Sequence, residues 1–131
     1  MTENELITNE GYVYFATRSD ILTKADCTQW LGMEPVETAG ISSSYPNDDW
    51  QISTPLTEDP FLHPMVRDIV ARLVPIKDRL IAFKQAYPDL LYWLEVVLYK
   101  GDSMAGLGFD NDTLRFLGEI GATVDCDIYR K

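Results

Sequence analysis

The stretch from Leu90 to Lys100 constrains this chain more than any other. Tyr92, Leu94, Val96 and Leu98 alternate with Leu91, Trp93, Glu95, Val97 and Tyr99, and side chains that change direction at every residue belong to a β-strand. Both sets are largely apolar, so the strand must be covered on both faces and flanked by neighbours, as a central strand is. Glu95 is the single acid inside it.

The flanking segments supply candidates for those neighbours. Gly11 to Arg18 is aromatic and β-branched, with Val13, Phe15 and Thr17 on one side and Tyr12, Tyr14 and Ala16 on the other, and reads as the first strand. Thr23 with Asp26 forms a capping box for a short helix that Gly32 ends, burying Ala25 or Cys27, Trp30 and Leu31. A weak strand near Val36 to Ile41 precedes a polar excursion, Ile41 to Asp49, and a strand at Trp50 to Thr54. Asp59-Pro60 opens a helix whose stripe is Leu62, Met65, Val66, Ile69, Val70 and Leu73. Pro75 interrupts it, and a second helix runs from Ile76 to Tyr87, stopped by Pro88. The basic residues of this pair, Arg67, Arg72, Lys77, Arg79 and Lys84, form a solvated face.

After the central strand, Lys100 to Ser103 is a turn, and Met104 to Phe109 is expected to return as an antiparallel hairpin partner. Asp110 to Thr113 then caps a helix burying Leu114, Leu117 and Ile120, closed by Gly121. A last strand, Ala122 to Tyr129, points Val124, Cys126 and Ile128 inward, and Thr123, Asp125, Asp127 and Tyr129 outward. The order β-α-β-β-α-α-β-β-α-β predicts an α+β domain over residues 11–131, after a frayed lead-in at 1–10. Its sheet is mainly antiparallel, of about five to six strands, with helices packed on one face.

Charge narrows the partners. The 131 residues carry 11 Lys and Arg against 21 Asp and Glu, a net charge of -10. Residues 1–66 hold only Arg18 and Lys24 against eleven acids. Such a chain repels phosphate backbones and anionic lipid, so nucleic acid and membrane are poor partners and a basic protein is a good one. The acidic start is unlike a signal or transit peptide, and the longest apolar run falls far short of the roughly 20 residues that span a bilayer. Cytoplasmic location is therefore expected, with Cys27 and Cys126 as reduced, buried thiols, since their spacing fits neither a zinc knuckle nor a redox pair.

With these elements in place, the chain resembles a bacterial family of small proteins known as domain-of-unknown-function family 4279. The features that carry the resemblance are the aromatic first strand, Trp30-Leu-Gly-Met-Glu-Pro35, Trp50-Gln-Ile-Ser-Thr54, and Leu114-Arg-Phe-Leu-Gly-Glu-Ile-Gly-Ala122 followed by Asp125-Cys-Asp-Ile-Tyr129. It spans about residues 11 to 130. These motifs are structural punctuation, so the resemblance implies the fold and transfers no activity or cofactor.

The residues themselves offer little catalytic chemistry. His63 is the only histidine, and a lone one does not build a His-rich metal or acid–base site. Gly101, Gly106 and Gly108 match no phosphate-binding pattern. Asp48-Asp49, Asp110-Asn-Asp112 and Asp125-Cys-Asp127 all lack the calcium-loop spacing. No catalytic, cofactor or metal residue is assigned on this basis. If the three strands are neighbours, however, Tyr12, Tyr14, Trp93, Glu95, Tyr99, Asp125, Asp127 and Tyr129 share the sheet face opposite the helices. Rings that bring contact area at low entropy cost, set among fixed acids, suit a protein interface. The expectation is a non-enzymatic interaction module for a basic protein or a second copy, a toxin-neutralising immunity protein being its most concrete form. The alternative is a small-molecule or enzymatic site under the 42–59 excursion, where Asp48, Asp49, Trp50 or Glu95 would converge.

Overall fold

The computed structural model describes residues 6–37 and 50–131. The elements run β1 (Glu10–Arg18), α1 (Lys24–Leu31), β2 (Gln51–Ser53), β3 (Thr57–Glu58), α2 (Leu62–Leu73), a 3-10 turn (Val74–Ile76), α3 (Lys77–Ala86), β4 (Leu91–Lys100), α4 (Asn111–Ile120) and β5 (Ala122–Arg130). The sheet has five strands in the order β2-β1-β4-β5, with β3 also pairing β1. Every pair is antiparallel except β4 with β5, which run parallel. This is the expected α+β class, with the long central strand at β4. Among the described residues no helix is long and apolar enough to cross a membrane.

The alternation in β4 sorts its side chains as the sequence requires. Tyr92, Leu94, Val96 and Leu98 join Val13 and Phe15 of β1 in a core with Val66, Ile69 and Leu73 of α2, Leu80 and Phe83 of α3, and Phe116, Leu117 and Ile120 of α4. Tyr92 donates its hydroxyl to the Leu80 carbonyl (2.7 Å), so the polar end of this buried ring is satisfied. The helix ends follow their punctuation. Thr23 Oγ1 accepts from Asp26 N while Asp26 returns a bond to Thr23 N. Gly32 and Gly121 take the left-handed conformation (φ 64° and 73°) that ends α1 and α4 without a Cβ penalty.

Several expectations give way to tertiary pairing. Met104 to Phe109 forms no strand. The edge of β4 that a hairpin would have used is occupied by β5, which returns in parallel through α4. The short strand β3 has no counterpart in the sequence reading. Of the weak strand at 36–41, Val36 makes one bridge, to Ile52; residues 38–49 lie outside the described residues. The helix expected from Asp59 begins at Leu62, after Phe61. Asp59 sits at φ 47° and donates its N–H to the Asn9 carbonyl (2.8 Å), so it closes the β3 turn and is not available as a cap.

Smaller shifts have similar causes. Leu114 is 52% exposed, and Phe116 takes its place in the core stripe of α4. Trp30 keeps an exposed edge but stacks on Phe83 at 5.1 Å, while Ala25 is exposed. Cys126 and Ile128 do share the core side of β5 with Val124, yet both are exposed, because the helical layer covers only the Ala122 and Val124 end of that strand. Only Cys27 is the buried thiol that was expected. The lead-in also ends earlier than residue 10. Asn9 is buried and accepts from Gly101 N through Oδ1 (2.7 Å), and Asp102 N donates to the Ile7 carbonyl, stitching residues 7–9 to the turn after β4.

Candidate functional site

Three strands present their second face away from the helices, and their register fixes which residues meet there. Across β1, β4 and β5 the rows are Ala16–Trp93–Thr123, Tyr14–Glu95–Asp125, Tyr12–Val97–Asp127 and Glu10–Tyr99–Tyr129. All eight residues singled out in the sequence therefore lie on this face, and the three strands that had to be neighbours are neighbours. The parallel pairing of β4 and β5 sets Glu95 directly beside Asp125, with Asp127 one pleat further along.

The face is a network of rings around carboxylates. Tyr12 stacks on Tyr14 (centroids 5.9 Å apart) and Tyr99 on Tyr129 (5.4 Å). The Arg18 guanidinium lies over the Trp93 ring at 5.3 Å. Arg18 was not among the residues assigned to this face from the sequence, although its even position on β1 gives it the same parity as Tyr12 and Tyr14. Burial is graded across the strands. Tyr12, Ala16, Val97 and Glu95 are buried; Tyr14, Trp93, Tyr99, Asp125 and Asp127 are half-buried; Tyr129 is half-exposed. The site is thus closed at its centre and opens toward the edge strand β5.

At that centre, carboxylate oxygens of Glu95, Asp125 and Asp127 all lie within 4.8 Å of one another. Glu95 is only 3% exposed, and its Oε2 is buried without a hydrogen-bond partner. Burial, then hydrogen bonding to Asp125, then the charges of Asp125 and Asp127 push its pKa up to about 8. The same burial and neighbouring charges raise the Tyr12 hydroxyl, and they raise the Cys126 thiol. A thiol held in its neutral form is a poor nucleophile, so Cys126 is exposed without being activated.

The alternative pocket does not form from the described residues. Trp50 is fully buried in the core, with Nε1 donating to the Met33 carbonyl (3.2 Å), on the opposite side of the sheet from Glu95. Asp48 and Asp49 lie outside the described residues. A hollow of about 340 Å³ does open beside the start of α2, lined by Asn9, Phe61, His63 and Met104 among others. There His63 Nε2 approaches Asp110 Oδ2 (3.3 Å), but Asp110 is the cap of α4. Its bonds from Thr113, and then the contact with His63, hold its pKa down at about 2. A carboxylate committed to a helix end beside a single histidine is a structural arrangement.

Among families, the model described as "Domain of unknown function (DUF4279)" matches residues 9–131, nearly the whole chain, and the chain belongs to that family. No curated protein and no solved structure matches it.

Proposed function

We propose that this member of the DUF4279 family is a non-enzymatic protein-binding module. Its partner is a basic protein, docked on the corner of the sheet where β5 meets the Tyr99–Tyr129 pair. The observation that carries this reading is the state of β5. The strand is nine residues long, lies at the edge of the sheet order, and leaves Ile128 64% and Tyr129 50% exposed beside half-buried Asp127. A long edge strand offers backbone hydrogen bonds to a partner, and proteins usually cover or blunt such edges. The adjoining rings supply contact area at low entropy cost, and Asp125 and Asp127 supply charge complementary to lysine and arginine. The net charge of -10 favours encounter with a basic surface from a distance. Neutralisation of a basic toxin domain is the specific form of this activity that we favour.

The test uses the tagged full chain to capture partners from a lysate of its source cell, beside the Tyr99→Ser, Tyr129→Ser variant. The captured protein is then purified and rebound over a series of salt concentrations. A basic partner that binds the wild type, weakens at least tenfold with the variant and weakens further with salt supports the reading. A partner indifferent to the variant, or a chain that instead forms a dimer lost in the variant, refutes it.

A further inference from the structure

We propose that Glu95, Asp125 and Asp127 form a binding site for one oxygen-preferring divalent cation. The inference goes beyond the partner-binding reading and stands without it. An acidic cluster on a protein surface is ordinarily solvated, with each carboxylate turned to water. Here the longest of the three, Glu95, is 97% withdrawn from solvent, its Oε2 has no hydrogen-bond partner, and its carboxylate lies within 4.8 Å of the two others. Carboxylates crowded together out of water are held by a proton, a basic side chain or a metal ion, and among the described residues no lysine or arginine forms an ion pair with any of the three. Arg18, on the same face, lies over Trp93.

The geometry suits a hard cation. Calcium binds oxygen at about 2.3–2.6 Å, so two opposite ligands of its shell stand roughly 4.6–5.2 Å apart. Three oxygens mutually within 4.8 Å fit inside a shell of that diameter. Magnesium, at about 2.0–2.1 Å, needs them drawn closer, to roughly 4.2 Å at most. Three carboxylates without a nitrogen or sulfur donor select Ca²⁺, Mg²⁺ or Mn²⁺ over Zn²⁺ or copper. The scaffold is rigid, because Glu95 and Asp125 are register partners on adjacent strands and Asp127 follows on the same face. The half-buried aspartates leave the site open to entry from the β5 side.

The experiment is calorimetric titration of the full chain, stripped by a chelator, with Ca²⁺, Mg²⁺ and Mn²⁺ separately, beside Asp125→Asn, Asp127→Asn and Glu95→Gln variants. Folding of each is checked by circular dichroism. A second readout on wild type alone is Tb³⁺ luminescence excited through the neighbouring tyrosines and Trp93. One site per chain, weakened at least tenfold in the folded variants, with Tb³⁺ emission that added Ca²⁺ displaces, is the expected result. Whichever of the three ions binds most tightly names the cation. No heat and no Tb³⁺ emission up to millimolar ion overturns the proposal, as does binding that the variants leave unchanged. Since no partner is present, failure here is distinct from failure of the capture experiment.

Discussion

Replacing Glu95 by Gln separates the electrostatic load at the centre of the sheet face from its packing. The amide is nearly isosteric with a protonated carboxyl and can donate to Asp125 or Asp127 as that carboxyl does. In the folded chain Glu95 holds its proton up to about pH 8, against an ordinary value of 4.5. Between those values the folded state binds one proton more than the unfolded state. Folding stability therefore falls as pH rises, by roughly 1.4 kcal/mol per unit while the difference lasts. The whole effect is present below the lower value and is lost as pH climbs through the upper one. Over that window wild type should lose about 4 kcal/mol relative to Glu95→Gln. The assay is urea unfolding of both proteins in chelator-containing buffer from about pH 5 to 8.5, followed by tryptophan emission. Carboxylates outside the cluster with Asp125 and Asp127 titrate alike in both proteins and cancel in the difference. The gap should be under about 1 kcal/mol at the acid end and widen steadily with pH in favour of the variant. A gap that stays constant across the range would show that folding imposes no ionisation cost on Glu95, and the account of its burial would be wrong.

Other consequences are simpler. Thr23→Ala removes the hydroxyl half of the α1 capping box, leaving Asp26 to accept from the residue-23 N–H, and should cost about 1 kcal/mol in the same unfolding assay. Phe116→Ala opens the core under α4 and should cost about 3 kcal/mol or more, whereas Leu114→Ala, on the exposed side of the same helix, should stay within about 0.5 kcal/mol. Equal effects would mean the helix is rotated from the orientation described. Maleimide at neutral pH should label Cys126 slowly in the native chain, since its thiol is exposed but kept protonated. It should reach Cys27 only once urea unfolds the core. Intact-mass spectrometry reads both, and prompt double labelling of the native protein would contradict the burial of Cys27.

Much of this architecture is legible in the residues because the signals are local. Alternation in β4 and β1, the Thr23 and Asp110 caps, and the glycines at both helix ends each depend on a few neighbouring side chains, and each holds. What fails is what depends on distant pairing. Asp59-Pro60 carries a good helix-start signal, yet the turn that ties Asp59 to the Asn9 carbonyl holds it at φ 47°, outside the extended backbone of a cap, and the helix starts at Leu62. Cys126 and Ile128 have the parity of core residues, but parity cannot report how far the helices reach along a strand. The glycines and aspartate after β4 resemble a hairpin turn, and only the competing claim of β5 on the same edge rules it out.

That competition also decides the chemistry of the site. Had Met104 to Phe109 paired with β4, the aspartates of β5 would have been displaced to a more distant strand, and Glu95 would face the glycines and apolar side chains of Met104-Ala-Gly-Leu-Gly-Phe109. The parallel crossover through α4 instead brings Asp125 into register with Glu95. A slip of one residue would turn Asp125 and Asp127 to the helical side and bring Cys126 against Glu95, leaving one buried carboxylate without its two neighbours. Burial of Val124 and Ala122 against α4 opposes that slip, since it would expose both. The apolar packing on one side of β5 thus holds the carboxylates together on the other. Weakening the packing by Val124→Ala should therefore lower divalent-cation affinity although the Val124 side chain lies on the opposite face of β5 from the aspartates. Calorimetric titration of that variant checks it, and unchanged affinity in a destabilised chain would show that the cluster keeps its geometry without support from the core.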